Sequence, residues 1–414
     1  MDRTAYAVIG ANFGDEGKGL ATDALAADLM GRGLDPLIVR SNGGAQAGHT
    51  VEAQGRRHVF HHVGSGAFTG ARTHLSRFFV AHPMLLLQEL EELRPLLPGP
   101  PELTIDPRAQ VTTPWDVFLN QAAEAARGAG RHGSCGVGFG ETLKRAQAGF
   151  SLTVADLTRP DLRGRLSGVR DGWALRRLEA LRVQDRPDVT DNLSVLWSDQ
   201  LLDRFLEDVR AFLGATSSRP DAEIGAETLL FEGAQGLMLD MDLGVMPHLT
   251  PSNTGVRNMI AIAQEAGIEE IRPLYMTRAY MTRHGAGPLK HEAEDLPWAE
   301  VVDPTNQPNT WQGSLRLAPL DLDETARFIR ADLDFADGSG VRVVPALGVS
   351  CLDQVGERVN VVFDGGHGEV EVCGLPELLA ETVGAPVRLT RYGPDRSGVR
   401  IAATPKRDGP VGPM

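Results

Sequence analysis

The stretch Gly10–Leu25, GANFGDEGKGLATDAL, constrains the fold more than any other part of the chain. An apolar β-like run, Tyr6–Ala11, leads into a turn crowded with glycine. Beyond it Leu20, Ala24, Leu25, Leu29 and Met30 recur at helical spacing, and Pro36–Arg40 is a second apolar run. This is a β-loop-α-β unit. Further runs read as buried strands: Arg77–His82, just before the helix Pro83–Leu93, then Glu227–Gly236, Ile271–Ala279 and Val341–Ser350. Together they predict an α/β fold with a central, largely parallel sheet and flanking helices. Between Arg159 and Arg219 the composition shifts to Leu, Arg, Asp and Glu at helical spacing, which predicts a helical insertion (159–219) within a single domain spanning 1–414. Gly356–Pro376 alternates polar and apolar residues about a Gly-Gly turn and predicts a small C-terminal β-hairpin region.

Composition narrows the partners. A net charge of −14 argues against broad nucleic-acid binding, so an anionic ligand needs a locally basic, amide-rich pocket. No apolar run reaches the roughly 18 residues of a membrane span, and the N-terminal apolar stretch is too short for a secretory signal. A soluble, cytoplasmic protein is expected. The three cysteines, Cys135, Cys351 and Cys373, form no CxxC pair and are read as structural or incidental thiols of a reducing compartment.

The opening loop is not a Walker A motif, because Gly17-Lys18 is followed by Gly19 rather than Ser or Thr. Two readings stand. In one, Gly14, Gly17 and Gly19 let backbone amides converge on a phosphate at the helix start, Lys18 adds a point charge, and a Mg²⁺ ion makes Asp15 tolerable beside the anion. In the other, Asp15 and Glu16 merely cap the helix.

Five blocks in order carry a resemblance: FGDEGKG, RSNGGAQAGHTV (Arg40–Val51), FEGAQGLMLDMDLGVMPHLTPSNTG (Phe231–Gly255), TRHGAGPLKHE and YGPDRSGVRI. The chain resembles the adenylosuccinate synthetase family over most of its length, the 159–219 stretch excepted. The resemblance implies ligation of L-aspartate to the 6-position of a purine monophosphate, driven by a nucleoside triphosphate and Mg²⁺. It implies that Asp15 is both a magnesium ligand and the base that takes the N1 proton, and that His49 is the acid toward O6. Lys18 supplies charge on the moving phosphoryl group, and Gly48 lends its carbonyl to the metal. An oxo group leaves poorly and a phosphorylated one leaves well, so this chemistry requires a base, an acid and cations at those places.

By the same resemblance, Gly14, Asp15, Glu16, Gly17, Lys18 and Gly19 are nucleotide contacts, as are Gln46, Ala47, Gly48, His49 and Thr50. Ser134, Cys135, Gln235, Thr250, Asp353 and Gly393 complete that set. Thr305 and Arg316 are expected at the aspartate. A homodimer is implied, with a neighbour's basic residue reaching the monophosphate; Lys144 and Arg145 are the nearest candidates.

Three blocks, and one residue outside them, depart from the family pattern. Ser134 and Cys135 stand where threonines contact the monophosphate, and Gln46 replaces an asparagine in the nucleotide site. The Asp303–Arg316 segment lacks an arginine expected near the ribose. Cys351-Leu352-Asp353 replaces the guanine-reading Lys-Leu-Asp, which disfavours GTP and opens ATP or a deoxynucleoside triphosphate as donor. Such changes resemble a branch, phage enzymes included, that acts on guanine monophosphates, although several of its members carry serine where this chain keeps Asp15. The expected acceptor is IMP, with GMP or dGMP and ATP as the alternative pair. A catalytically dead nucleotide-binding homologue and an unrelated NTPase are the readings of other classes; the presence of Asp15, Lys18 and His49 argues against the first.

Overall fold

The computed structural model describes residues 3–128, 134–183, 186, 193–293, 296–301, 303 and 314–402. Seventeen strands are present among them: β1 (Thr4–Gly10), β2 (Pro36–Arg40), β3 (His49–Ala53), β4 (Arg56–Phe60), β5 (Arg72–Leu75), β6 (Leu103–Ile105), β7 (Ser217–Ser218), β8 (Thr228–Gly236), β9 (Glu270–Arg278), β10 (Tyr280–Arg283), β11 (Arg316–Asp321), β12 (Arg342–Val343), β13 (Ala346–Ser350), β14 (Arg358–Phe363), β15 (Gly366–Glu371), β16 (Val387–Arg391) and β17 (Val399–Ile401). Eleven of them form one sheet in the order β17-β16-β13-β9-β1-β8-β2-β5-β6-β7, with β12 also on β9. Every pairing in it is parallel except β16 with β17. The α/β fold with a largely parallel central sheet is therefore the one the strand pattern predicts.

Apolar residues cover both faces of the sheet. One cluster runs from Ala5 and Ile9 through Phe231 and Tyr275 to the helices Val256–Ala266 and Leu322–Leu333. On the opposite face of the same central strands Val8, Ile38, Leu230 and Leu274 cluster with Leu29 of the helix Lys18–Gly31, and a further cluster runs from Leu20 and Leu75 through Trp115 to Phe205 and Phe212 of the helix Asp199–Ala215. Within 159–219 the described elements are mainly helical, including Leu162–Gly168, Leu175–Leu181 and Asp199–Ala215. No helix among the described residues is long and apolar enough to cross a membrane.

Three local readings need correction. Arg77–His82 is not a strand: the strand is the preceding Arg72–Leu75, and Val80 and Ala81 make only isolated bridges to Gly44 and Val111. The strand escaped an apolar search because it buries a polar side chain, His74, between Thr104 and Asp221 at 2.9 Å each. Val341–Ser350 splits into β12 and β13 around Pro345, which has no amide for a ladder. The C-terminal hairpin is formed by β14 and β15, but its turn is Asp364-Gly365, both at positive φ (49° and 70°), rather than Gly-Gly. It belongs to a four-stranded sheet, β10-β11-β14-β15.

A buried carboxyl anchors the helix Val256–Ala266, which follows the long loop after β8. The Val256 amide donates to both oxygens of Asp332 at 3.0 and 3.1 Å, and the Tyr275 hydroxyl donates at 2.7 Å. Gly255 is required here, since a Cβ would lie 1.8 Å from the Asp332 Oδ1. Burial pushes the Asp332 carboxyl up from 3.8 to about 7, only partly offset by those two bonds. A group that keeps its proton in the folded state favours folding at low pH, and that contribution is lost as pH rises from 3.8 through 7. In parallel urea titrations the wild-type protein is expected to lose on the order of 1–3 kcal/mol relative to Asp332→Asn between pH 5 and pH 8.5. A difference that does not move with pH would refute the buried proton.

Candidate active site

A cleft of about 800 Å³ opens at the carboxyl ends of the parallel strands. The residues that follow β1, β2, β8 and β13 all contribute to its lining, as do Arg278 at the end of β9 and Arg391 at the end of β16. Ligands of open parallel sheets bind in this position, because the loops there are free to vary and helix starts present unpaired amides.

The loop after β1 is held by its own glutamate. Glu16 is buried, and its Oε1 accepts from the amides of Asn12 (3.1 Å) and Gly14 (2.8 Å) while Oε2 pairs with Lys18 Nζ at 2.7 Å. Gly14, Asp15 and Gly17 all have positive φ (99°, 63° and 84°), and the helix Lys18–Gly31 starts at Gly17 without any side-chain cap. The capping reading of Asp15 and Glu16 is thereby excluded. Glu16 does not line the cleft; it shapes the loop from beneath and engages the Gly14 amide that the phosphate reading had assigned to a ligand. Asp15 does line it, and among the described residues its carboxylate makes no hydrogen bond or ion pair. Its carbonyl instead accepts from Arg278 Nε at 2.5 Å.

His49, at the start of β3, lies over the same helix, so close that a Cβ on Gly19 would stand 2.8 Å from the His49 Cβ. Its Nδ1 is 2.5 Å from Glu232 Oε1. Glu232, fully buried in β8, also accepts from the Ser65 amide (3.0 Å) and hydroxyl and faces Arg40 Nε at 4.0 Å. Burial works against its charge, but Arg40 and His49 outweigh this and hold the carboxyl down at about 2. An ionised Glu232 only accepts, so His49 Nδ1 carries the proton and Nε2 is the ring nitrogen left for a ligand. Burial, with help from Arg40 and Lys18 and against Glu232, lowers the His49 pKa to about 4, so its ring is neutral in the empty cleft.

Other expected residues divide clearly. Gly14, Gly17, Lys18, Gly19, Gln46, Ala47, Gly48, Thr50, Ser134, Cys135, Gln235 and Thr250 line the cleft with Asp15 and His49. Both polar atoms of the Gln46 amide, and Oε1 of Gln235, are buried without a hydrogen-bond partner, a costly state that a polar ligand would relieve. Ser134 Oγ accepts from Asn120 at 2.8 Å, and burial, with the Asp15 charge, raises the Cys135 thiol to about 11.

Asp353 is exposed and off the lining, where Cys351 and Gln354 stand instead; Gly393 is also off it, beside Arg391 and Pro394. Cys135 and Cys351 are thus cleft residues rather than incidental thiols. Arg316 is not brought to the cleft: Glu292 takes its Nε and Nη2, and the carbonyls of Gly285 and Gly287 take its Nη1 at 3.1 and 2.8 Å. Arg283 lines the cleft in its stead, over the Phe13 ring at 4.3 Å, with its pKa lowered to about 10 by burial and by Arg316. Arg145 is buried against Asp116 and the carbonyls of Phe150 and Val111, so it cannot reach a neighbouring subunit, whereas Lys144 lines the cleft beside Glu141. Thr305 lies outside the described residues.

Arg278, Arg283, Glu232 and Arg40 were not singled out from the sequence. Glu232 left a signal, a lone carboxylate in the apolar strand TLLFEGAQG, since an unpaired buried charge is too costly to keep.

Fold and cleft define a parallel-sheet α/β protein with a nucleotide-type site built on a glycine loop that is not a Walker A motif. A family model described as adenylosuccinate synthetase matches residues 7–310, and the chain belongs to that family. The adenylosuccinate synthetase of Psychrobacter sp. (strain PRwf-1) is 31% identical over 297 residues, which cover 70% of this chain and 65% of that protein. That of Crocosphaera subtropica (strain ATCC 51142 / BH68) is 33% identical over 290 residues, or 69% and 62% of the two chains. The matched region thus spans under two thirds of these relatives' length.

Among solved structures, fully ligated adenylosuccinate synthetase from Plasmodium falciparum shares the fold at TM-score 0.68 and 17% identity, over 96% of this chain and 100% of that one. The cyanophage S-2L succinoaminodeoxyadenylate synthetase (PurZ), bound to dGMP and to dATP as an energy donor, shares it at 0.59 and 17%, over 98% and 97%.

The Glu232 arrangement is open to a direct check. Nitrogen NMR of the wild-type protein is expected to show His49 as a single neutral tautomer protonated at Nδ1, and Glu232→Gln is expected to mix the tautomers. Glu232→Gln also leaves Arg40 without its counter-charge, so a stability loss of roughly 3–5 kcal/mol should accompany it in denaturant titrations. Unchanged tautomer and stability would show that Glu232 does not hold the ring.

Proposed function

We propose that this protein is a purine nucleotide–L-aspartate ligase, which uses a nucleoside triphosphate to phosphorylate O6 of a purine monophosphate and then replaces that oxygen with the aspartate amine. The observation that carries the reading is the shared cleft: Asp15, with an unpartnered carboxylate, and His49, with its Nδ1 fixed by Glu232, face one cavity in a chain of this family. Asp15 takes the N1 proton and makes O6 nucleophilic. His49 presents Nε2 to the reacting oxygen; incoming phosphates and Glu232 both favour its protonated form, so it gains a proton as negative charge builds. Lys18 offsets charge on the transferred group.

Mg²⁺ fits this donor set. One free carboxylate and the cleft-lining Gly48 suit an ion that keeps waters and takes phosphate oxygens. Asp15 and the Gly48 carbonyl would hold it, and when bound it would offset charge between the phosphates. Ser134, Gln46, Gln235 and Thr250 are the proposed nucleotide contacts, and a homodimer would bring a second cation to the monophosphate.

IMP is the proposed acceptor. A second reading, a guanylate acceptor with ATP as donor, is favoured by one observation: the expected guanine-reading carboxylate, Asp353, is exposed while Cys351 lines the cleft. The phage enzyme of this fold is described with dGMP and dATP.

Phosphate release should be measured with Mg²⁺ and L-aspartate across IMP, GMP and dGMP against GTP and ATP, with mass spectrometry of the product. An aspartate-dependent succinyl product from IMP is expected; product only from a guanylate with ATP selects the second reading. Asp15→Ala and His49→Ala should each lower turnover by at least about 100-fold with an unchanged circular dichroism spectrum. No aspartate adduct from any pair would overturn the ligase reading.

A further inference from the structure

We infer that Arg391 is a binding residue for the phosphates of the triphosphate donor, an inference that rests on the ligase reading above and adds a residue to it. Arg391 ends β16 and lines the cleft. The other lysines and arginines of that lining have protein acceptors: Lys18 pairs with Glu16, which leaves its remaining N–H groups for the transferred phosphoryl group, Lys144 pairs with Glu141, Arg127 with Glu124 and Arg278 with Asp303, while Arg283 donates to three backbone carbonyls. Arg391 differs. Its Nε donates to the Gly393 carbonyl at 2.8 Å, which fixes the plane of the guanidinium, and its terminal nitrogens meet no acceptor among the described residues. In a chain of net charge −14, a guanidinium held in place with its Nη donors uncommitted is suited to an anionic ligand.

The position selects which anion. A Cβ added to Gly17 would lie 2.5 Å from Arg391 Nη1, so the guanidinium rests directly on the glycine that opens the helix Lys18–Gly31. Gly17 combines a positive φ of 84° with this close approach, two independent reasons for glycine.

Arg391 also stands on a particular side of the sheet. In the strand order β16 and β13 lie on one side of β1, so Arg391 shares that side with Cys351. The segment at Ser134 and Cys135 attaches instead through Asn120 and the Gln46 carbonyl, which follows β2 on the other side. The proposed monophosphate contacts and Arg391 are thus separated across β1, and the phosphates that Arg391 meets are those of the donor.

Direct titration tests this without ligation. Purified full-length wild type, Arg391→Ala and Arg391→Lys should be titrated calorimetrically with ATP, GTP and inorganic tripolyphosphate, and separately with IMP and GMP, all in Mg²⁺ buffer. Arg391→Ala is expected to weaken the triphosphates and tripolyphosphate alike by roughly 10- to 100-fold, as loss of a charge-assisted hydrogen bond implies, and to leave the monophosphates within about 2-fold. Arg391→Lys is expected to recover part of the loss, since it keeps the charge without the fork.

Equal triphosphate affinity in wild type and Arg391→Ala would overturn the assignment and leave the ligase reading standing. An equal loss for mono- and triphosphates would overturn it too, by reducing Arg391 to general cleft charge. A wild-type protein that binds no triphosphate would remove the donor reading and this inference together.

Discussion

Glu232 is the group on which the cleft depends. It sits without solvent exposure in the middle of a central strand, β8, and joins His49, the turn at Ser65 and the end of β2 at Arg40 through a single carboxylate. A charge in that position is stable only while each partner is present, because desolvation of an unpaired carboxylate costs more than any one bond returns. The same constraint decides the state of His49. With Nδ1 engaged by an anion and the ring buried, one nitrogen is fixed as a donor to the protein and the other is reserved for the ligand.

The glycine loop uses a second buried carboxylate in a comparable way. Glu16 draws the amides of Asn12 and Gly14 and the ammonium of Lys18 onto itself, which sets the loop before any ligand arrives. This arrangement answers why a phosphate-type loop carries adjacent acidic residues. One carboxylate, Glu16, is turned inward as part of the backbone's hydrogen bonding; the other, Asp15, is left for chemistry in the cleft. Glycines follow from the same geometry, since a Cβ at Gly10 would lie 2.4 Å from Glu16 Oε2 and one at Gly19 would strike His49.

Much of the fold was legible. Apolar runs located β1, β2, β8 and β9 to within a few residues because strands in a parallel sheet are covered on both faces and must be apolar throughout. The pattern failed where burial was achieved by pairing polar groups, as with His74 in β5, and where proline interrupted a run between β12 and β13. Site residues next in sequence to glycine turns, among them Asp15, Lys18, Gln46, His49 and Gln235, converge on one cleft because their loops all leave the carboxyl ends of neighbouring strands. Arg316 and Asp353 do not join them: one guanidinium finds Glu292 and two carbonyls nearer, and the other side chain sits on an exposed turn.

By itself the sequence determined the strand and helix periodicities, the glycine positions that demand positive φ, and the family to which the chain belongs. These are properties of local pattern, set by side-chain spacing and backbone sterics. Only the tertiary structure decided which acid serves the loop and which serves the cleft, which nitrogen of His49 is available, and that Arg391 rather than Arg316 stands uncommitted beside Gly17. Those outcomes depend on distances between residues far apart in the chain, and on burial, which sets the protonation and pairing of each charge. No linear spacing encodes either quantity.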